Sequence, residues 1–381
     1  MARRTTSSSP RNRHPLRIDQ LVDTAAPGDA IMNDALALRA QLRQLGPSDI
    51  VCNRSAHPGL EPEIISTDSY ARRQRQGGGP DDVLMVHSSI GNAPLHCFLM
   101  GRSERLLIRY HNITPAHYFE KQDPGFGELL DLGREQLAEI VERAIGAIAD
   151  SRYNAMELEE LGLAPDRIHV VAPLFPYDGF AAAFCPPSRR DWPEPYDGRR
   201  SAGPIILSVG QALPHKRPDL LLMAFHILRT HLDPRARLRI VGPVRNTGYA
   251  GAVKAMAEEL RLPVEFTGPV SQPELERSFR AAHVLAITSE HEGFCVPAVE
   301  AMAVGLPVVG RAFGALPETV AGAGLIVDSG DDAEVIAEAI HSVTSDLDLA
   351  ESLAQRGRVR AAELAPAVSA RSFLEALDRL L

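Results

Sequence analysis

Two glutamates, Glu292 and Glu300, stand at the predicted junction of a strand and a helix, with seven residues between them. Residues 284–288 form a nearly unbroken apolar run, which is typical of a strand buried within a parallel sheet. Pro297 suits the first turn of the helix that follows, where a missing N–H costs nothing. Residues 293–296 should therefore present free backbone N–H groups at the positive end of the helix dipole, which is an anion site.

An anion site flanked by two carboxylates calls for an unusual ligand. The carboxylates would repel a free phosphate unless they accept hydrogen bonds from neutral groups of the same molecule. A nucleotide sugar offers a diphosphate to the amides and hydroxyl groups to the acceptors. The structural alternative is that Glu300 only complements the helix dipole and Glu292 is a solvated loop charge, each contributing about 0.3–1 kcal/mol.

The wider segment, residues 289–309 continued by residues 314–318, resembles the donor-binding signature of the family-4 retaining glycosyltransferases. Members of that family have the two-domain GT-B architecture. The resemblance implies that Glu292 faces the donor sugar, that Glu300 holds the ribose diol, and that the donor phosphates meet the loop residues Gly293, Phe294, Cys295 and Val296. Family members commonly carry glycine at the position of Cys295, a change that is tolerable if only its backbone N–H is used.

A second loop, residues 208–219, follows the first predicted strand of the C-terminal half. Gly210 permits close approach of a ligand to the backbone, and Lys216 can neutralise diphosphate charge as a bond to it breaks. In the family an arginine and then a lysine contact the phosphates, but Gln211 occupies the arginine position here. Arg217, or a residue of the other domain, is the expected replacement. The alternative for Lys216 is an ordinary exposed loop lysine.

Three further positions are assigned by the same resemblance. Gly28 lies in a glycine loop that approaches donor and acceptor, although an ordinary capped helix start explains it as well. His111, assisted by Asn112, ends a predicted strand and would hydrogen-bond the donor sugar; the alternative is a structural histidine. The backbone at Pro269 and Val270 would recognise the nucleobase.

Apolar runs alternate with helical patterns in both halves of the chain, which indicates an α/β fold. Amphipathic spacing predicts helices over residues 29–45 and 126–148. With the resemblance, the expected architecture is GT-B, in which two doubly wound Rossmann-like domains face each other across a cleft. The expected parts are a flexible tail (1–15), an acceptor-side domain (16–180), a proline-rich linker (181–203), a nucleotide-sugar-binding domain (204–362) and a helix that crosses back to the N-terminal domain (363–381).

Composition narrows the function classes. The net charge of -9 argues against a general nucleic-acid-binding protein, which needs a basic surface. The four cysteines show no spacing typical of zinc sites or disulfide frameworks, which favours a reducing, cytoplasmic location. The sequence shows neither a signal peptide nor an apolar run of about 18 residues. The basic amphipathic stretch 36–45 leaves peripheral contact with a membrane open.

The predicted activity is therefore transfer of a hexose to a carbohydrate or glycolipid acceptor, with retained anomeric configuration and with no cofactor or metal. The resemblance favours mannose from GDP-mannose as the donor. Methylmannose-type polysaccharides are among the candidate acceptors. Three alternatives stay open: a UDP- or ADP-hexose donor, a glycan phosphorylase that uses the same carboxylates, and a non-catalytic nucleotide-sugar sensor, which the presence of Gln211 makes conceivable.

Overall fold

The computed structural model describes residues 16–26, 29–52, 64–77, 81–175, 203–243, 248–328 and 330–381. Three predicted features fall outside these ranges: the tail 1–15, Gly28, and the linker apart from residue 203. The described residues form two parallel sheets, each covered by helices on both faces. Two doubly wound α/β domains, as expected from the sequence, are confirmed.

The N-terminal sheet contains strands β1 Ile18–Val22, β2 Ile50–Cys52, β3 Ile64–Ser66, β4 Val83–Ser88, β5 Arg105–Tyr110, β6 Ala144–Ala149 and β7 Ile168–Val170. Their order across the sheet is β3-β2-β1-β4-β5-β6-β7, and all pairs are parallel. The α-helices of this domain are Ala30–Leu45, Thr67–Gly77, Ala93–Met100, Pro124–Arg143 and Arg152–Glu160, with 3-10 turns at Ala116–Tyr118 and Pro165–Arg167.

The C-terminal sheet contains strands β8 Ile205–Val209, β9 Arg237–Val241, β10 Val264–Gly268, β11 Val284–Ile287, β12 Val308–Arg311 and β13 Leu325–Val327, in the order β10-β9-β8-β11-β12-β13. Its α-helices are Pro218–Ile227, Gly248–Glu259, Gln272–Ala281, Val296–Ala303, Leu316–Val320, Ala333–Ser345 and Leu347–Glu363, with a 3-10 turn at Pro214–Lys216 and a π-helical turn at Leu228–Leu232.

Both sheets reverse their strand order next to the first strand of the domain, between β1 and β4 and between β8 and β11. In open parallel sheets, ligands bind at the carboxyl ends of the strands beside such a reversal. The loops after β8 and β11, which carry most of the predicted site residues, therefore meet at the expected binding edge.

The predicted helix over residues 126–148 is wrong in its last turn and a half. The helix Pro124–Arg143 ends earlier, and Ala144–Ala149 forms strand β6 between β5 and β7. The residues of β6 are small and apolar, so they continue the helical spacing in the sequence. Gly146 allows this strand to lie close to the segment before β7, because a Cβ at this position would lie 2.7 Å from the carbonyl oxygen of Arg167.

The last helix, Pro366–Leu380, begins at a proline three residues later than the predicted boundary at 363, because residue 363 still belongs to the preceding helix. It packs on the N-terminal sheet, where Phe373 and Leu377 join a core cluster with Met85, Leu107 and other strand residues. Among the helices that the structure describes, none combines the length and apolar character required to cross a membrane.

Candidate functional site

The loops that follow β8 and β11 hold each other in place. The hydroxyl oxygen of Thr288, directly after β11, lies 3.1 Å from the carbonyl oxygen of Lys216 and 2.9 Å from that of Arg217. The backbone N–H of Glu290 donates to the carbonyl oxygen of His215 over 2.8 Å. The chain around Lys216 is therefore built onto the loop that carries Glu292.

Lys216 and Glu292 form an ion pair, with 2.8 Å between Nζ and Oε2. The Glu292 side chain is 9% exposed and the Lys216 side chain 30% exposed. They line one pocket together with Gly210, Gln211 and Cys295. The structure thus brings two of the predicted catalytic residues together, and the ion pair orients the ammonium group.

The turn before the helix Val296–Ala303 offers unused donors. No described residue accepts a hydrogen bond from the backbone N–H of Gly293, Phe294, Cys295 or Val296. Pro297 occupies the first turn of this helix, as predicted. Because these amides lie at the positive end of the helix dipole, the turn can hold an anion such as a diphosphate.

Glu300 lies one turn into the same helix and is partly buried. Its carboxylate makes no hydrogen bond or ion pair to the described part of the protein. Burial raises the pKa of Glu300 to about 7. An unpaired acceptor in a poorly solvated position is suited to a ligand that brings its own hydroxyl donors.

Cys295 has a backbone conformation that side chains usually avoid. Its φ is 74° and its ψ is 70°, the left-handed region that favours glycine. The thiol is buried, and burial raises its pKa well above the usual range. The Cys295 side chain therefore lines the pocket as an unreactive group, although its backbone conformation is strained.

Comparing two substitutions at this position isolates the strain. Glycine normally destabilises regular structure relative to alanine by about 0.5–1 kcal/mol. At position 295 we expect the reverse, with Cys295→Gly more stable than Cys295→Ala by about 1 kcal/mol, since only the alanine keeps the Cβ that crowds the left-handed region. Urea denaturation of both variants measures the difference. Equal stability would mean that the backbone here relaxes without cost.

Gln211 and Arg217 have different surroundings. The Gln211 side chain lines the pocket and makes no hydrogen bond to a described residue. The Arg217 guanidinium instead contacts the carboxylates of Asp219, Glu290 and Asp331, and these contacts raise its pKa despite its partial burial. Since three acidic groups already surround it, its role as the substitute phosphate contact stays a prediction.

The predicted nucleobase segment follows β10 at the same edge of the sheet. Pro269 is exposed and Val270 packs against the core. The preceding Gly268 has φ 70°, and its carbonyl oxygen accepts from the backbone N–H of Gly242 over 3.1 Å. The segment is thus positioned beside the pocket, while base recognition by its backbone stays a prediction.

His111 does not point a free ring nitrogen into the cleft. Its Nδ1 lies 2.9 Å from Asp150 Oδ2 and its Nε2 lies 2.8 Å from His87 Nδ1. His87 Nε2 in turn bonds to Gln20 Oε1 over 3.0 Å, and Gln20 is oriented by its amide N–H donating to the carbonyl oxygen of Ala35. His87 therefore donates from Nε2 to Gln20, and its Nδ1 faces His111.

Buried charged residues surround this histidine pair. Burial, followed by the neighbouring His111, lowers the pKa of His87 well below its usual range, so His87 is neutral. Arg109 is fully buried, with its Nε 2.9 Å from Asp34 Oδ2 and its Nη2 2.8 Å from Asp150 Oδ1. The Arg109 guanidinium is thus the buried cation that both carboxylates contact.

Asp34, His87 and His111 also place one potential metal-ligating atom each within 4.8 Å of one another. One hydrogen bond, between His87 Nδ1 and His111 Nε2, joins the two rings of this group. The role of His111 toward the donor sugar stays a prediction. In this arrangement its ring contacts Asp150 and His87, both of the N-terminal domain.

Several residues at the site were not singled out from the sequence. Arg311 at the end of β12 is buried and donates to the carbonyl oxygen of Thr288 over 2.9 Å and to Asp331 over 2.8 Å. His291 and Ser151 connect the two domains through the loop around Gly293. Arg311 could have been found as a charged residue at the carboxyl end of a strand, whereas the other two depend on domain packing.

Comparison with known proteins finds similarity mainly in the C-terminal half of the chain. Residues 196–360 match the family Glycosyl transferases group 1. A D-inositol 3-phosphate glycosyltransferase from Mycolicibacterium smegmatis is 34% identical over 212 residues, 53% of this chain and 46% of the relative. One from Thermobispora bispora is 32% identical over 264 residues, 65% of this chain and 59% of the relative. The chain spans about half the length of the curated relatives it matches.

Solved structures agree on the fold of the whole chain. A glycosyltransferase from Rickettsia africae superposes with a TM-score of 0.73 at 18% identity, covering 97% of this chain and 99% of that structure. A sucrose-phosphate synthase from Thermosynechococcus elongatus gives a TM-score of 0.74 at 17% identity, covering 96% and 99%. At such identities the likeness establishes the GT-B fold and leaves the substrates open.

Proposed function

We propose that this protein transfers a hexose from a nucleoside-diphosphate sugar to a hydroxyl group of a carbohydrate or glycolipid acceptor. The observation that carries the proposal is the arrangement at the β8/β11 edge. There the Lys216–Glu292 pair and Cys295 line one pocket. The same loop and the helix after it carry Glu300 and the backbone amides of residues 293–296, for which the described part of the chain supplies no hydrogen-bond acceptor. The family match of the same region supports this assignment.

Each group has a distinct task in the proposed reaction. The amides of residues 293–296 and the Lys216 ammonium stabilise the negative charge that builds on the diphosphate as its bond to the sugar carbon breaks. Glu300 accepts hydrogen bonds from the ribose hydroxyls, and Glu292 holds Lys216 and faces the sugar. The acceptor oxygen then bonds to the same carbon, and its proton passes to the departing diphosphate, with retention of configuration.

GDP-mannose remains the predicted donor, and a UDP- or ADP-hexose remains the alternative. Thermal-shift measurements with GDP, UDP and ADP would identify the nucleotide, because a ligand at about 100 times its Kd stabilises a protein by about 2.7 kcal/mol. Transfer assays should follow with the matching sugar donors and an acceptor panel that includes D-inositol 3-phosphate and methylmannose oligosaccharides. Activity should persist in excess EDTA.

Two outcomes would contradict the proposal. Sugar release that needs phosphate and no nucleotide sugar would identify a phosphorylase. Nucleotide-sugar binding without transfer to any acceptor of the panel would identify a sensor. An anomeric proton signal showing inverted configuration in the product would reject retention alone and leave the transfer reaction intact.

The pH dependence of nucleotide binding tests the assignment of Glu300. Its raised pKa means that burial favours the neutral form, so its contribution to stability is present at low pH and lost as the pH rises through about 7. Ribose binding uses the ionised form. Affinity for the best nucleoside diphosphate should therefore rise about tenfold from about pH 6 to pH 8.

Glu300→Gln is the matched control for this measurement, since it keeps the shape of the side chain and cannot ionise. The slope that remains in Glu300→Gln reports titration of the diphosphate itself. Isothermal titration calorimetry of both proteins across this pH range gives the difference. Identical slopes would show that Glu300 does not hold the nucleotide.

A further inference from the structure

The loop that carries Glu292 is hydrogen-bonded to the N-terminal domain on both sides of that residue. On one side, His291 Nε2 lies 2.5 Å from Asn112 Oδ1. On the other side, the Ser151 hydroxyl donates to the carbonyl oxygen of Gly293 over 2.8 Å. Both partners lie at carboxyl ends of N-terminal strands, Asn112 after β5 and Ser151 after β6.

The contact between Asn112 and His291 has a defined direction. The Asn112 amide donates from Nδ2 to Asn154 Oδ1 over 3.0 Å, so its Oδ1 is the atom that faces His291. Burial lowers the pKa of His291 to about 4, which makes the ring neutral at physiological pH. The ring must then carry its single proton on Nε2 and donate it to Asn112, with the Tyr153 hydroxyl 3.5 Å from the other nitrogen.

Gly293 shows how closely the domains approach. A Cβ at this position would lie 2.8 Å from Asn112 Cβ and 3.0 Å from the carbonyl oxygen of His111. Any larger residue would separate the N-terminal strand end from the loop. The glycine is thus needed for the contact between domains as well as for the approach of a ligand.

The C-terminal domain fixes the peptide of Glu292 from behind. The carbonyl oxygen of Glu292 accepts from the backbone N–H of Ala315 over 2.8 Å. Its side chain is bonded to Lys216. Because residues 291 and 293 are hydrogen-bonded to the N-terminal domain as well, the position of the Glu292 carboxylate is restricted from both domains.

We infer that Asn112 and Ser151 are positioning residues for Glu292, so that the donor loop has its reactive geometry only when the N-terminal domain is closed on it. This inference rests on the proposed function. Neither residue needs to touch the donor. Closure of the domains around an acceptor is thereby coupled to the sugar-facing carboxylate of the other domain.

The test compares variants that release the loop with one that weakens the domain contact elsewhere. Asn112→Gly removes the amide and suits the left-handed φ of 77° at this position. Ser151→Ala removes the second contact, and Ser151→Thr keeps a hydroxyl that can both bond Gly293 and cap the helix Arg152–Glu160. Arg105→Gln is the control, because Arg105 Nη2 contacts the carbonyl oxygens of Leu380 and Leu381 at the opposite end of β5, away from the pocket.

We expect Asn112→Gly and Ser151→Ala to lower kcat by about 100-fold, the loss typical of misplacing a reacting group by about 1 Å. The Kd of the nucleoside diphosphate should change by less than about threefold, because Lys216, Glu300 and the amides belong to the C-terminal domain. Ser151→Thr and Arg105→Gln should retain most of the wild-type kcat.

Unchanged kcat in Asn112→Gly and Ser151→Ala would overturn the inference. So would an equal loss of kcat in Arg105→Gln, which would show that the contacts only hold the two domains together. If Asn112→Gly fails to fold, the Ser151→Ala and Ser151→Thr pair decides alone. Wild-type protein without transfer activity on any donor would instead reject the proposed function.

Discussion

Replacing Lys216 by alanine should lower kcat by about 10²- to 10³-fold while the fold is retained. A donor aimed at charge that develops during the reaction has an effect of this size when it is removed. Lys216 is oriented for the task by its ion pair with Glu292. Lys216→Arg should recover little, because the planar guanidinium cannot take the place of a compact ammonium in this pocket.

Lys254→Ala is the matched control, since Lys254 is an exposed lysine on the helix Gly248–Glu259. Single-turnover rates with saturating donor separate the bond-breaking step from product release. If Lys216→Ala keeps a rate similar to that of Lys254→Ala, the departing diphosphate is stabilised by other groups, and the backbone amides of residues 293–296 become the main candidates.

Arg109→Met should destabilise the protein by about 3–5 kcal/mol, since it leaves two buried carboxylates without their counter-charge. The side chains of Arg109 and Asp34 are fully buried, and Asp150 is 5% exposed. The guanidinium also donates to the carbonyl oxygen of Val171 over 3.0 Å, which ties β5 to the chain that leaves the domain. Urea denaturation measures the loss.

The control is Arg152→Met, which breaks an exposed ion pair with Glu159 and should leave the denaturation midpoint unchanged. Should Arg109→Met fail to accumulate as folded protein, Asp34→Asn provides a milder version, in which one buried charge of the group is removed and the side-chain shape is kept. A midpoint like that of wild type in either variant would contradict the stabilising role of the Arg109 ion pairs with Asp34 and Asp150.

Much of the architecture is determined locally and was therefore accessible from the sequence. Runs of apolar residues mark strands buried on both faces, and the spacing of apolar residues marks the helices that cover them. Pro297 predicted where the helix that carries Glu300 begins, and with it the turn of free backbone amides before that helix. The end of the helix at Arg143 was not predicted, because the alanines and isoleucines of β6 fit the patterns of a helix and of a strand equally well.

The partners of the site residues were decided only by the tertiary structure. His291 meets Asn112 across 179 residues of sequence, and Lys216 meets Glu292 across 76. The ring of His111, predicted to hydrogen-bond the donor sugar, contacts Asp150 and His87 on neighbouring strand ends, and the sequence did not indicate these partners. The physical reason is the same in each case: periodicity and turn signals report backbone conformation, whereas the partner of a polar side chain depends on which strand ends and which domain surfaces are packed together.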